Sequence, residues 1–119
     1  MRLWLFHEKG IFCKIARGEI PSEEVYSDEK IFAFRDINPQ APVHILVIPR
    51  DHIESCDKIN AENSDSVRAV FEAIPKIAAK AGLSGGYRVI SNVGEDGCQS
   101  VKHMHFHVLG GKKLPENMG

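Results

Sequence analysis

The chain has 119 residues, of which 43% are hydrophobic and 26% charged, so it is long enough for one domain with a hydrophobic core and is neither disordered nor fibrous in type. Its formal net charge of -1 provides no strong field to attract nucleic acid polymers or anionic membranes. Its 3 cysteines (Cys13, Cys56 and Cys98) are irregularly spaced, which predicts free thiols in a reducing compartment rather than a disulfide framework.

The apolar run at the start of the chain covers only residues 3–6 and ends at His7. A secretory signal needs about 7–15 apolar residues and a membrane span about 20. We therefore expect a cytoplasmic protein without a membrane partner. Because no repeat or linker divides the sequence, we predict a single domain over residues 1–119, with an N-terminal extension at 1–9 and a C-terminal tail at 112–119.

The first half of the chain predicts a short helix followed by three strands. The helix runs from Ile11 to Arg17 and is ended by Gly18. Residues 25–27 and 31–35 form a hairpin. The prolines of residues 38–42 hold the next loop extended, and the apolar strand at 43–48 follows and closes at a further proline.

One long amphipathic helix is predicted over Ser64–Ala81, with Asn63 or Ser64 capping its start and Gly82 ending it. Pro75 removes a backbone hydrogen bond, so we expect it to kink the helix or to split it near Phe71. The apolar face repeats at three- and four-residue steps and consists of Val67, Val70, Phe71, Ile74, Ile77, Ala78 and Ala81.

The last two strands are predicted at Tyr87–Asn92 and His103–Leu109, joined by a glycine-containing loop at 93–102. The strands of the chain thus come in antiparallel-looking pairs, with helices before and between them. That order favours an α+β fold over alternating βαβ units.

The last strand carries the most informative pattern. His103, His105 and His107 alternate with apolar residues, so they share one face of a strand while Met104, Phe106 and Val108 take the other. The outer two histidines lie about 13 Å apart along the backbone, too far for all three to bind one metal ion. Two neighbouring histidines with a third ligand from elsewhere could do so. The pattern suits a row of donors along a phosphate at least as well.

Two other segments carry polar groups that could serve such a site. The loop at 92–100 has glycines that can aim backbone N–H groups at an anion, and Gln99 and Ser100 add side-chain donors. Upstream, Asp36 and His44 flank the proline-rich loop. Asp36 could bind ribose hydroxyls or satisfy local turn N–H groups. Without the histidines, the loop at 92–100 would be more typical of a polar hairpin connection.

Together these residues resemble the histidine-triad family, in its Hint-type nucleotide-binding branch. The family signature of three histidines alternating with hydrophobic residues is met by residues 103–109 and extended by Gly110 and Gly111. The similarity covers nearly the whole chain after residue 10. It also includes the segments 11–15, 19–21, 34–42, 44–49 and 86–88, together with Asn92, Gly94, Gln99 and Ser100.

The resemblance implies a fold and an assembly. The fold is α+β, a five-stranded antiparallel sheet with one short and one long helix. The assembly is a homodimer in which the long helices pack together and the two sheets join into a continuous ten-stranded sheet.

The resemblance also implies roles for individual residues. His105 matches a nucleophile that attacks the α-phosphorus, and His107 a phosphate-binding partner. His44 and the carbonyls near His103 would set the tautomer of His105, and Ser100 would lie beside the leaving amine. The implied nucleotide contacts are Asp36, Ile37, Asn92, Cys98, Gln99, Ser100, His105 and His107.

The implied activity is hydrolysis of the P–N bond of purine nucleoside phosphoramidates, of the adenosine 5′-monophosphoramidate type, through a covalent nucleotidyl-histidine intermediate and without a cofactor. A purine mononucleotide or nucleoside phosphoramidate is then the expected ligand. Three alternatives stay open: a dinucleoside polyphosphate hydrolase, a non-catalytic nucleotide-binding or scaffold protein, and a zinc-binding module.

This chain departs from the family pattern at two informative positions. Cys98 stands where relatives usually carry glycine, and Gly10 stands where many carry the first cysteine of a Cys-x-x-Cys pair. Cys13, His52 and His103 therefore remain as a partial zinc site. Since structural zinc normally takes four ligands, we predict no bound metal.

Overall fold

The structure, a computed structural model, describes residues 10–118; the predicted N-terminal extension at 1–9 lies outside the described residues. In chain order the elements are α1 (Ile11–Ala16), β1 (Glu24–Ser27), β2 (Ile31–Arg35), β3 (Val43–Pro49), a 3₁₀ turn (Cys56–Lys58), α2 (Ser64–Lys80), β4 (Tyr87–Ile90) and β5 (Phe106–Gly110).

The sheet has five strands in the order β1-β2-β3-β5-β4, and every neighbouring pair is antiparallel. With the short helix α1 and the long helix α2, this confirms the predicted α+β fold. The last strand of the chain lies inside the sheet, between β3 and β4. Its side chains therefore have neighbours on both sides, which places the histidine pattern at the centre of the molecule.

The two faces of the sheet are covered by different helices. Along β3, Ile45 and Val47 belong to the core cluster beneath α2, whereas Leu46 and Ile48 belong to the cluster beneath α1. This follows from the alternation of side chains along a strand. Both faces of β3 are buried, which explains why its sequence is almost continuously apolar.

Helix α2 is one uninterrupted element, so the prediction that Pro75 would split it is wrong. Pro75 lies on the exposed side of the helix, while its neighbours Ile74 and Ile77 are buried against the sheet. The missing N–H therefore falls where the Phe71 carbonyl can be hydrated, and burial of the neighbours holds the helix together. Phe71 itself is 51% exposed rather than part of the buried face.

Other parts of the α2 prediction hold in part. Gly82 ends the helix with a φ of 78°, the left-handed conformation expected of it. Asn63 precedes the helix but makes no side-chain cap, because its Oδ1 accepts the Asn60 N–H over 2.9 Å instead. No helix within residues 10–118 is both long and apolar enough to cross a membrane.

The last two strands are shorter than predicted. β4 ends at Ile90 rather than Asn92, and β5 begins at Phe106 rather than His103. Pairing between β3 and β5 ends at Val47 and Phe106. Two residues further along β3 is Pro49, which has no N–H to donate to a neighbouring strand. Residues 103–105 consequently lie outside the regular sheet, with a bend at His103.

Candidate functional site

The three alternating histidines all lie on the α1 side of the sheet, as predicted. Met104, Phe106 and Val108 belong to the core cluster beneath α2. His107 pairs with Leu46, a residue of the α1-side cluster, and the ring of Phe12 contacts both His103 and His105. The ring centroids of His105 and His107 are 5.1 Å apart. The imidazoles therefore form a contiguous row.

The hydrogen bond of His105 decides its tautomer. Its Nδ1 lies 2.7 Å from the backbone carbonyl oxygen of His103. A carbonyl only accepts, so Nδ1 carries the proton and Nε2 keeps a free lone pair. The expected carbonyl near His103 therefore orients His105. His44, which was expected to share in this, bonds to His107 instead, so that part of the expectation is wrong.

A second chain of hydrogen bonds decides the tautomer of His107. The backbone N–H of Gln40 donates to His44 Nδ1 over 3.0 Å, so the proton of His44 is on Nε2. His44 Nε2 lies 2.8 Å from His107 Nδ1 and donates to it. His107 consequently carries its own proton on Nε2. The site thus presents one imidazole acceptor, on His105, beside one imidazole donor, on His107.

Burial keeps these imidazoles neutral. It is the largest cause lowering the pKa of His105 and of His44 below the ordinary value of 6.5. For His107, burial and the neighbouring His105 and His44 lower the pKa to about 4. A nucleophilic imidazole must be unprotonated on its attacking nitrogen, so neutrality at pH 7 suits such chemistry.

Asp36 supports the row from the loop after β2. Its Oδ2 lies 3.4 Å from His44 Nε2, and its Oδ1 accepts the Asn38 N–H over 2.8 Å. The carboxylate therefore satisfies a local turn N–H, one of the two interpretations left open by the sequence, and it also neighbours the histidines. Its contact with a ribose stays a prediction. Ile37, the next residue, is fully exposed at 100%.

The loop at 92–100 is braced by its own polar groups. Asn92 Nδ2 donates to the Gly97 carbonyl over 2.7 Å. The Gln99 amide donates to the Glu54 and Val101 carbonyls over 2.6 and 3.0 Å and accepts the Gly94 N–H over 3.1 Å. The role seen for these two side chains is therefore to hold the loop in shape, and their contact with a nucleotide stays a prediction.

Two further loop residues are available to a ligand. Cys98 is exposed and has a φ of 61°, the left-handed conformation that glycine adopts most easily. A glycine, which the resemblance implies at this position, would adopt that conformation with less strain. Ser100 is exposed and lines a cavity of about 200 Å³ that it shares with Phe12, His52 and His103.

The predicted partial metal site does come together. Cys13 Sγ lies 3.4 Å from His103 Nδ1 and 3.6 Å from His52 Nδ1, and the two imidazole nitrogens are 3.2 Å apart. His103 Nε2 donates to the Pro49 carbonyl over 2.8 Å, which leaves Nδ1 as an acceptor. Burial raises the pKa of the Cys13 thiol, favouring its protonated form. Among the described residues this cluster offers 3 donor atoms, one fewer than structural zinc normally takes.

Sequence reasoning missed two residues that touch the nucleophile candidate. Phe12 stands edge-on to His105, with ring centroids 5.1 Å apart and an angle of 86° between the rings. Its place on the buried face of α1 could have suggested this contact. The Ser91 hydroxyl donates to the backbone carbonyl of His105 over 2.9 Å. Nothing in the sequence pattern indicates that bond, because it depends on where the two last strands end.

Comparison with known proteins gives consistent matches. A family model described as HIT domain matches residues 17–114. The purine nucleoside phosphoramidase of Escherichia coli K12 is 45% identical over 108 residues, covering 90% of this chain and 91% of that protein. The 14 kDa zinc-binding protein of Zea mays is 47% identical over 106 residues, covering 87% and 83%. The solved structure of a HIT family hydrolase from Legionella pneumophila is 44% identical with a TM-score of 0.87, covering 92% of this chain and 98% of that one.

Proposed function

This chain belongs to the HIT domain family, and from that premise we propose that it hydrolyses the P–N bond of purine nucleoside phosphoramidates. Relatives named as a hydrolase and as a purine nucleoside phosphoramidase support a hydrolase role. The observation that carries the specific proposal is the hydrogen bond between His105 Nδ1 and the His103 carbonyl, because it leaves His105 Nε2 unprotonated.

The proposed reaction has two steps. In the first, the Nε2 lone pair of His105 attacks the α-phosphorus, the P–N bond breaks with its electron pair going to nitrogen, and the amine leaves after taking up a proton. In the second, water attacks the phosphohistidine and releases the nucleoside monophosphate, which returns the electron pair to Nε2, and the proton that water gives up replaces the one taken by the amine. Dividing the displacement between two attacks lowers the barrier of each.

The neighbouring groups fit the charges that develop in these steps. His107, with its Nε2 proton, lies beside His105 and can donate to a phosphoryl oxygen. The exposed Ser100 hydroxyl is the proposed donor to the leaving amine. Asp36 and Ile37 are the proposed ribose and base contacts, with Asn92, Cys98 and Gln99 shaping the phosphate side. None of these steps needs a cofactor.

The proposal includes a homodimer in the cytoplasm. Tyr87 and Val89 on the edge strand β4 are 39% and 37% exposed, and Phe71 on α2 is 51% exposed. An apolar edge strand next to a half-exposed aromatic ring requires cover in water. A second copy of the chain would cover both surfaces by pairing β4 with β4 and α2 with α2. Gel filtration should therefore show a species of about twice the chain mass. A clean monomer would contradict this part of the proposal.

The deciding experiment compares the wild type with His105→Ala, using adenosine 5′-monophosphoramidate as substrate. We expect the wild type to release AMP and the variant to lose at least about 10³-fold in kcat, since no other group provides the covalent route. AMP binding by calorimetry should persist in the variant. Wild-type turnover retained by His105→Ala would overturn the nucleophile assignment, and a wild type that binds AMP without turnover would overturn the activity.

A further inference from the structure

A short polar chain lies behind the nucleophile candidate, outside the residues assigned so far. Ser91 follows the last residue of β4, and its hydroxyl donates to the backbone carbonyl of His105 over 2.9 Å. The thiol of Cys56, in the 3₁₀ turn, donates in turn to Ser91 Oγ over 3.8 Å. Both side chains are half-buried.

The His105 carbonyl needs this partner because of where the sheet ends. β5 begins at Phe106, so His105 lies one residue outside the regular ladder. The segment before Phe106 is held instead by single contacts, including the Met104 N–H on the Ile53 carbonyl and His103 Nε2 on the Pro49 carbonyl. A buried carbonyl without a donor is costly, and the Ser91 hydroxyl supplies the donor that the ladder does not.

Ser91 acts from the face of the sheet opposite to the imidazoles. Ile90 is directly opposite His107, so the next residue along, Ser91, shares the side of Phe106 and of the core beneath α2. The His105 ring lies on the other side, against Phe12. Ser91 therefore reaches only the backbone of His105 and has no path to a phosphate bound at Nε2.

We propose that Ser91 is a positioning residue for the nucleophile, with Cys56 as its support. By fixing the His105 carbonyl, the hydroxyl fixes the plane from which the imidazole projects and hence the direction of the Nε2 lone pair. The inference rests on the proposed function, because only there is His105 the attacking group. It predicts that Ser91 affects the rate of the chemical step rather than the binding of the nucleotide.

The first test compares Ser91→Ala and Ser91→Val, which remove the hydroxyl, with Ser91→Thr, which keeps it. We expect kcat to fall about tenfold in the first two while KM changes less than about twofold, because misplacing an attacking atom costs rate and not ground-state binding. Ser91→Thr should restore most of kcat. Cys56→Ala should give a smaller loss in the same direction.

Ser27→Ala is the matched control, since it removes a hydroxyl from the opposite edge strand β1, where Ser27 donates to Glu24. Melting temperatures of all variants separate loss of folding from loss of rate. Equal kcat for the wild type and Ser91→Ala would overturn the inference, as would a rise in KM with kcat unchanged.

A second measurement does not depend on turnover. The imidazole nitrogen resonances of ¹⁵N-labelled His105 report the geometry of its Nδ1–H bond to the His103 carbonyl, and in Ser91→Ala they should shift because the backbone that carries the ring moves, while Ser27→Ala leaves them unchanged. Unmoved resonances in Ser91→Ala would overturn the positioning role. A wild type that shows the single tautomer but no phosphoramidase activity would instead overturn the proposed function and leave the positioning intact.

Discussion

Two histidine clusters lie on the same face of this sheet and differ in what their ring nitrogens contact. In the first, His44 and His107 are linked Nε2 to Nδ1, and the outer nitrogen of His44 accepts a backbone N–H. In the second, the Nδ1 atoms of His52 and His103 and the Cys13 thiol face one another within 3.6 Å.

The difference shows that the number of histidines in a cluster does not determine what the cluster can do chemically. In the first cluster the backbone N–H on His44 Nδ1 fixes the place of each proton, so that His107 presents Nε2–H beside the unprotonated Nε2 of His105. In the second cluster the three ligand atoms face one another instead. The first cluster therefore suits turnover and the second suits holding α1 and the loop after β3 together.

The largest predicted difference between the two clusters is in their effect on activity. We expect His107→Ala to lower kcat by about 10²–10³-fold, because it removes a donor aimed at the phosphoryl oxygens. His52→Ala, from the second cluster, should stay within about threefold of the wild type. Steady-state kinetics on adenosine 5′-monophosphoramidate measure both. Equal losses in the two variants would mean that both clusters act on the substrate.

The next effect is on stability in acid, and both clusters contribute. Burial lowers the pKa of His103 and of His107 to about 4, below the ordinary value of 6.5. The unfolded chain then takes up protons more readily than the folded chain between these values. The free energy of unfolding should be level above about pH 7 and fall as the pH drops from 6.5 toward 4. Below pH 4 these two groups should lower it no further.

For His103, which is 2% exposed, the loss should be on the order of 3 kcal/mol. The contribution of His107 is smaller because it is partly exposed. Urea unfolding at pH 7 and pH 4.5, with His107→Gln as the comparison, separates the two. An unchanged midpoint across this window would show that both rings take up protons in the folded state.

The smallest predicted effect concerns the zinc content of the purified protein. With 3 donor atoms in the described part of the second cluster and a thiol kept protonated by burial, we expect purified protein to hold far less than one zinc per chain. A chelator should then leave the melting temperature unchanged. Stoichiometric zinc by elemental analysis, with a melting temperature that EDTA lowers, would contradict this and align the chain with its zinc-binding relative from Zea mays.

Much of the fold could be predicted from the sequence because strong patterns specify it. The apolar run at 43–48 became the buried central strand, and the helical repeat at 64–81 became α2. The errors arise where a helix or strand continues or ends according to a single backbone hydrogen bond. Pro75 did not break α2, since its gap faces water, and β5 begins three residues later than predicted, where its pairing with β3 ends.

The candidate site could be predicted less completely, for a related reason. The alternation of His103, His105 and His107 predicts a shared face, and that face is observed. Tautomers, by contrast, follow from hydrogen-bond geometry that the alternation does not reveal: His105 takes its tautomer from the His103 carbonyl, and His107 takes its tautomer from His44, 63 residues away. The Ser91 bond to His105 depends on the ends of two strands. Local patterns contain no information of this kind.

The position of β5 inside the sheet has a consequence for how the molecule is made. The strands β1, β2 and β3 can pair as soon as they are synthesised, but β4 has no neighbour in the sheet until β5, the last strand, arrives. Until then β3 presents an open, strongly apolar edge, the kind of edge that invites pairing with other chains. The contacts that build the site span 63 residues between His44 and His107 and 90 between Cys13 and His103. Chaperone binding to the nascent chain should accordingly be strongest between the emergence of β3 and that of β5.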